Sequence, residues 1–235
     1  MKIKSIPLQS FIILHFFFFS SIITAQTDDR QIVTLKGNID LVSRYIWRGL
    51  EFGHAPSIQP GLSASWKGFT LGSWGAYKLT GSGEQETDFF LTKKIGFLTL
   101  GLSDYWTFRD TTAMDFFDYR ERSTAHILEA QALFTGGENI PVNFLATYFF
   151  YGADKSRSIY LELQYVYSWD MAEMIFFAGY QPKGSYYGSD ISFINLGCTL
   201  KRSIPVSERW SLPISLSLIM NPDRKSVYLV GGITF

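Results

Sequence analysis

The sequence predicts an all-β protein, an antiparallel transmembrane up-and-down β-barrel of about 12 strands. Segments of about ten residues recur in which apolar and polar side chains alternate, and this period is typical of β-strands whose two faces meet different surroundings. Aromatic residues make up 17% of the chain, many of them near the ends of these segments. These features favour strands with lipid on one face and water on the other.

The first alternating segment, residues 36–47, displays the pattern most clearly. One face carries Gly37, Ile39, Leu41, Ser43, Tyr45 and Trp47, and the other carries Lys36, Asn38, Asp40, Val42, Arg44, Ile46 and then Arg48. The second face holds too many charges to form the dry core of a β-sandwich. We therefore predict that the apolar face meets lipid and that the charged face lines a lumen.

Further alternating segments follow, separated by short turns or by loops rich in glycine, proline and charge. They cover residues 57–66, 69–79, 87–94, 98–108, 123–134, 142–151, 158–169, 174–181, 191–201, 211–220 and 227–235. Segment 158–169 alternates cleanly, whereas segment 142–151 is apolar on both faces, which leaves its register open. The resulting strand number is even, as expected of a bacterial barrel, and leaves no length for a second domain.

Residues 1–25 are predicted to be a secretory signal peptide. Lys2 and Lys4 precede an apolar run over residues 11–23, and Asp28 follows soon after it. The run is shorter than the roughly 20 residues that a membrane-spanning helix needs. The sequence therefore predicts export, with residues 26–235 forming an integral barrel in the bacterial outer membrane.

Composition argues against several partners and chemistries. The chain has 21 basic and 21 acidic residues, so it lacks the basic excess expected of a nucleic-acid-binding protein. Its single cysteine, Cys198, has no partner for an internal disulfide. The loop over residues 109–122 lacks the ordered ligand spacing of a calcium loop, and we expect no metal or cofactor. Its aspartates, Asp110, Asp115 and Asp118, are interleaved with Arg109, Arg120 and Arg122.

Residues 38–77 combine a strand containing Ser43, aromatic residues before Arg-Gly, a hairpin with proline and glutamine, and a Gly-x-Trp-Gly segment. The matching positions are Ser43, Tyr45, Trp47, Arg48, Gly49, Pro56, Gln59, Pro60, Gly72, Trp74 and Gly75. In these features the segment resembles the opening of the TorF-type porin family. The resemblance implies an outer-membrane channel without an established substrate, although Arg44 replaces the acidic or neutral residue frequent in that family. Phe235 resembles the terminal aromatic residue that the barrel insertion machinery recognises.

From these observations we predict a porin-like channel for passive diffusion of small polar or charged solutes. The predicted pore-lining residues are Lys36, Asp40, Arg44, Arg48, Lys78, Asp88, Lys94, Glu129 and Glu162. The predicted membrane-interface aromatics are Tyr45, Trp47, Trp66, Tyr165, Tyr167 and Trp169. The expected partners are outer-membrane lipid, the insertion machinery and small solutes. Balanced charge predicts weak ion selectivity, and an anion preference would point to Arg44 and Arg48.

Three alternatives stay open at this point. The inward charges can simply pair and hydrate a closed structural barrel. A lipid hydrolase would need a serine activated by a histidine, and His126 lies near Ser123 and Thr124, whereas His54 lies in the first loop. Because a spacing of three along a strand does not place side chains on one face, we expect no enzyme. A soluble lipocalin-like barrel would turn the apolar face inward, which alternation alone does not distinguish.

Overall fold

The computed structural model describes residues 32–81, 83–109, 115–137, 140–170, 172–208 and 210–235 of the chain. The predicted signal peptide, residues 1–25, and Asp110 lie outside the described residues. Among the residues that are described, no helix is long and apolar enough to cross a membrane.

The regular structure of the described chain consists of β-strands. They are β1 (Thr34–Val42), β2 (Ile46–Trp47), β3 (Leu50–Glu51), β4 (Ser57–Trp66), β5 (Phe69–Lys78), β6 (Glu84–Ile95), β7 (Leu98–Arg109), β8 (His126–Thr135), β9 (Val142–Gly152), β10 (Ile159–Trp169), β11 (Ala172–Lys183), β12 (Ser192–Ser207), β13 (Trp210–Asn221) and β14 (Ser226–Thr234). Strands β2 and β3 pair with each other, and the remaining strands form the wall of one closed barrel.

Each wall strand pairs in antiparallel fashion with its neighbours along the chain, and β1 closes the barrel by pairing with both β4 and β14. The closing ladder aligns Asp40 with Thr234, and Ile39 and Phe235 exchange backbone hydrogen bonds of 3.0 and 2.9 Å. Closure pairs the strand edges that an open sheet would leave exposed. The prediction of an all-β, antiparallel barrel of 12 strands is confirmed for the described chain.

The two faces of the wall differ in polarity as the alternation predicted. In β1, the inward-facing Asn38 and Asp40 are each 6% exposed, whereas the outward-facing Leu35 and Ile39 are 58% and 43% exposed. The same alternation recurs around the wall. The charged face therefore lies inside and the apolar face outside, which is the opposite of the arrangement expected of a lipocalin-like barrel.

Short turns and long connections lie at opposite rims. Lys67 and Gly68, which join β4 to β5, have φ values of 49° and 78°, typical of the type I′ turn whose twist suits a two-residue hairpin. At the other rim the longest connections include the described residues 43–56, 115–125 and 184–191. This second rim therefore supplies most of the chain that is available to build a site.

The structure corrects two details of the predicted strands and resolves a third. Strand β1 ends at Val42, so the predicted first strand over residues 36–47 is too long. Alternation within the predicted segment 191–201 places Ile194 on the apolar outer face with Leu196, Cys198 and Leu200. In β12, a bulge opposite Gly179 turns Ile194 away from that face, and Ile194 is fully buried. The open register of residues 142–151 is resolved by Thr147, which faces the lumen and bonds a side chain there.

Candidate functional site

Residues 46–51 form a hairpin that stands inside the barrel, and we call it the bore hairpin. Its two short strands, β2 and β3, are joined by Arg48 and Gly49. The φ values of these two residues are 48° and 80°, and a pair of positive values is typical of a type I′ turn. Gly49 suits this turn because it adopts a positive φ without a steric penalty.

Arg48 at the tip of the bore hairpin is 6% exposed and binds the opposite wall. Its guanidinium donates to both carboxylate oxygens of Glu129, at 2.5 and 3.0 Å. It also donates to the hydroxyl groups of Thr147 and Tyr187, at 3.2 and 2.5 Å. Glu129 is fully buried and accepts a further hydrogen bond of 2.6 Å from Tyr105. Bidentate pairs of this kind are strong and geometrically specific.

Aromatic rings surround this ion pair. The guanidinium carbon of Arg48 lies 4.4 Å from the ring centroid of Trp47 and 4.7 Å from that of Tyr160. Trp47 packs in turn against Tyr105 and Tyr187, with centroid distances of 5.3 and 5.7 Å. The rings attract the cation through their π faces and keep water from the ion pair.

The bore hairpin and its flanks contact the wall on opposite sides. Tyr45 packs against Trp74 of β5 at 5.3 Å and donates to Glu86 of β6 at 3.1 Å. Across the lumen, the carbonyl of Gly49 accepts a hydrogen bond of 3.1 Å from Asn221 of β13. The wall strands contacted in this way include β5, β6, β7, β8, β9, β10, β12 and β13. Because β6 and β12 face each other across the barrel, the hairpin crosses the bore.

A second segment, residues 184–190, folds into the same space, and we call it the bore loop. The backbone N–H of its fully buried Tyr187 donates to the side-chain oxygen of Gln181 at 2.9 Å. The side-chain nitrogen of Gln181 donates to the carbonyls of Gly188 and Asp190, at 3.2 and 3.0 Å. Since Tyr187 also binds Arg48 of the bore hairpin, the two inserted segments stabilise each other.

Other carboxyl groups on the inner wall bind neutral donors. Asp40 accepts a hydrogen bond of 2.6 Å from Thr234, and Glu162 accepts one of 2.8 Å from Asn195. Asp88 is 2% exposed, and its Oδ1 atom has no hydrogen-bond partner among the described residues. The lumen around the bore hairpin is therefore polar and rich in carboxyl oxygens.

The residues predicted to line a pore divide between the wall and the inserted segment. Those on the inner face of wall strands are Lys36, Asp40, Lys78, Asp88, Lys94, Glu129 and Glu162. Arg48 lies in the lumen at the hairpin tip, and Arg44 pairs with Glu51 at the base of the hairpin, with 43% of its side chain exposed. The expectation that both arginines extend the first wall strand is wrong, because the chain leaves the wall after Val42.

The predicted interface aromatics divide in the same way. Tyr45 and Trp47 pack inside the barrel, so their assignment to the outer surface is wrong. Trp47 lies in β2 of the bore hairpin, and Tyr45 lies in the connection that leads into it, so neither residue continues the first wall strand. The outward-facing, exposed members are Trp66, Tyr165, Tyr167 and Trp169, on the half of the wall nearest the short turns.

Four residues that hold the inserted segments were not selected from the sequence: Tyr160, Gln181, Tyr187 and Asn221. They come from three wall strands and one loop that are distant along the chain. The available sequence signal was the Arg-Gly pair after two aromatic residues, which indicates a turn with positive φ but not its direction.

A separate polar cluster lies on the outer face of the wall. His126 of β8 and Asp104 of β7 occupy outward positions, with 2.7 Å between Nδ1 and Oδ1. The other ring nitrogen, Nε2, lies 2.6 Å from the carbonyl oxygen of Phe116. Tyr119 stacks on the imidazole at 4.1 Å and donates to Asp104 Oδ2 at 2.6 Å. His126 is fully buried because residues 115–120, which we call the outer strap, fold back over it.

Together, the fold and the lumen define a closed antiparallel barrel with an apolar exterior, a polar interior and an inserted hairpin. The chain belongs to a family described as "Bacterial protein of unknown function (Gcw_chp)", whose model matches residues 26–212. The match includes the bore hairpin, the bore loop and the outer strap. No curated protein and no solved structure matches the chain. Because the family description names no activity, the relationship to TorF-type porins stays a prediction.

Replacing Gly49 with alanine tests how closely the bore hairpin fits its site. An added Cβ atom would lie 1.9 Å from the backbone oxygen of Ile194. We therefore expect Gly49→Ala to lower the free energy of unfolding by clearly more than the roughly 1 kcal/mol that a positive φ costs alanine.

Gly81→Ala is the matched control, because Gly81 also has a positive φ of 76° but nothing lies within 4 Å of its added Cβ. Urea unfolding of both variants in detergent micelles, followed by tryptophan fluorescence, measures the difference. Equal losses of stability would contradict a closely seated hairpin.

Proposed function

We propose that this protein is an integral barrel of the bacterial outer membrane and a porin-like channel for small polar or charged solutes. In this proposal, the bore hairpin closes the channel in the conformation described above and opens it by leaving its site. The observation that carries the proposal is that a segment crosses the polar lumen and is held in place there by non-covalent contacts alone. Such a segment can be displaced without opening the wall.

The outer face of the wall supports the membrane location. Every wall strand exposes at least one large apolar side chain on this face: Leu35, Leu62, Leu71, Leu91, Leu102, Phe134, Phe144, Leu163, Phe176, Phe193, Leu216 and Leu229. Soluble proteins rarely expose a continuous apolar surface of this extent, whereas lipid would cover it. The closed ladder also meets the requirement that backbone groups in a bilayer bond each other. Export through the predicted signal peptide agrees with this location.

The connection that carries the bore hairpin supports a channel that opens. Residues 43–56 belong to no wall strand, so they can move while β1 and β4 remain paired. The buried pair of Arg48 with Glu129 is the contact that opening must break. Removing one partner of a buried ion pair typically costs about 3–5 kcal/mol because the other charge is left buried, so loss of Arg48 should favour a conformation in which Glu129 is hydrated.

A closed structural barrel is the second candidate. It is favoured by the same packing, because the aromatic rings and the bidentate ion pair hold the bore hairpin tightly. In that case the hairpin never leaves the bore, and the protein carries no current. Conductance measurements separate the two candidates.

A lipid hydrolase has less support. Nε2 of His126 donates to the carbonyl of Phe116, so this nitrogen does not face a nucleophile. The hydroxyl of Thr124 accepts from the backbone N–H of His126 rather than from its ring. His54 lies at the surface, where it pairs with Glu51. In the part of the chain that the structure describes, no serine hydroxyl bonds either imidazole, and we propose a non-enzymatic role.

Single-channel recording tests the proposal directly. Residues 26–235, refolded and inserted into a planar bilayer, should be closed for most of the time and show discrete openings, because the bore hairpin must leave its site first. A channel of large conductance that stays open all the time would contradict closure by the hairpin. Silence from protein shown to be folded by its heat-dependent electrophoretic mobility would favour the structural barrel.

A pair of arginine variants tests the opening step. Arg48→Ala leaves Glu129 buried without its partner, so we expect the open probability to rise about tenfold or more. Arg44→Ala removes the same charge from the same segment. Because its pair with Glu51 is local and half-exposed, we expect a change of less than about threefold.

Both variants are recorded at equal salt concentration and with the same folding check. Equal effects of Arg44→Ala and Arg48→Ala would show that charge in the segment matters, and would contradict a specific role for the buried pair.

A further inference from the structure

We propose that a proton shared between His126 and Asp104 holds the outer strap on the barrel wall, and that losing this proton as the pH rises releases the strap. The strap lies on the outer face of the wall, whereas the bore hairpin lies inside it. The proposal therefore does not depend on whether the barrel conducts.

The requirement for a proton follows from the partners of the two imidazole nitrogens. The carbonyl oxygen of Phe116 can only accept, so Nε2 of His126 must carry a hydrogen. Nδ1 faces Oδ1 of Asp104, and an ionised carboxylate also only accepts. The two contacts coexist only when imidazolium meets carboxylate or neutral imidazole meets carboxylic acid.

Removing this proton leaves His126 neutral beside an ionised Asp104. If the remaining hydrogen stays on Nε2, the lone pair of Nδ1 faces a negative oxygen. If the hydrogen moves to Nδ1, the lone pair of Nε2 faces the carbonyl of Phe116. The first arrangement sets two wall residues against each other, so the hydrogen moves to Nδ1, where the carboxylate of Asp104 is the stronger acceptor. The hydrogen bond from Nε2 to the strap is then lost, so the strap is held at acidic pH and loosened at alkaline pH.

Tyr119 does not replace the missing proton. Its hydroxyl already donates to Oδ2 of Asp104, and burial together with this hydrogen bond raises the pKa of Tyr119 to about 12. It therefore remains a donor at both acidic and mildly alkaline pH. The hydroxyl of Tyr151 on β9 donates to the carbonyl of Tyr119, a contact that does not involve the shared proton.

Several other charged groups around the strap have partners of their own. Hydrogen bonds from Arg120 keep the pKa of Asp118 well below its ordinary value. Asp115 accepts from the backbone of the strap, and Lys155 on the neighbouring loop donates to the carbonyls of Glu121 and Gly152. Loss of a proton from the pair of His126 and Asp104 therefore breaks a contact between the strap and the wall.

A spin label on the strap measures its release. Phe117 is 83% exposed and its ring packs against Phe116, so Phe117→Cys places a label on the strap while His126, Asp104 and Tyr119 keep their side chains. The background carries Cys198→Ser, since Cys198 is the single cysteine of the chain. For the full barrel in detergent micelles, we expect the rotational rate of the label to rise about twofold or more between about pH 5 and about pH 9.

The variant Asp104→Asn distinguishes the effect of the shared proton on the strap from other effects of pH. The asparagine amide donates to the neutral Nδ1 of His126, and its oxygen still accepts from Tyr119, so the contacts need no added proton. We expect the label in this variant to stay ordered at both pH values. Tyr119→Phe keeps the shared proton and should retain the pH response of the label. This variant provides a second test of the proposal if Asp104→Asn does not fold.

A label at Arg224→Cys, in the loop between β13 and β14, is the control for pH effects on the barrel as a whole. The proposal is overturned if the Phe117 label does not respond to pH, or if the Arg224 label responds equally. It is also overturned if folded Asp104→Asn protein keeps the full response, or if Tyr119→Phe loses it.

Discussion

Closure of the wall between β1 and β14 is the constraint on which the rest of the structure depends. Once Asp40 aligns with Thr234 and Ile39 bonds Phe235, the strands enclose a space that has to be hydrated or filled. The inner faces carry carboxyl groups and amides, so a purely apolar filling would leave polar atoms without partners. The bore hairpin fills part of this space with donors and aromatic rings.

The ion pair of Arg48 with Glu129 links this filling to the wall. A carboxylate as deeply buried as Glu129 needs a counter-charge, and Arg48 supplies it from a connection rather than from a neighbouring strand. The wall can therefore stay closed while the interior changes. This separation between a rigid wall and a displaceable interior is the physical basis for proposing a channel rather than a fixed structural barrel.

The alternation of residues predicted most of the wall, and its main error has a specific cause. Successive side chains on a strand point to opposite faces, so the charged and apolar sets of β1, β6 and β10 were assigned to the correct sides. The same alternation runs on through Tyr45 and Trp47, although Tyr45 lies in a connection and Trp47 in the separate strand β2. Alternation reports extended backbone and does not report which sheet the backbone joins, so these two aromatics were assigned to the outside.

The sequence by itself determined that this chain forms alternating strands in sufficient number for a closed barrel, because side-chain direction along a strand is set by covalent geometry. It also indicated the turn at Arg48 and Gly49, where a positive φ favours glycine. Only the tertiary structure decided that this turn enters the lumen and that Glu129, Tyr187 and Asn221 meet there. Those contacts join segments far apart along the chain, and no local pattern encodes which distant side chain will fill a given space.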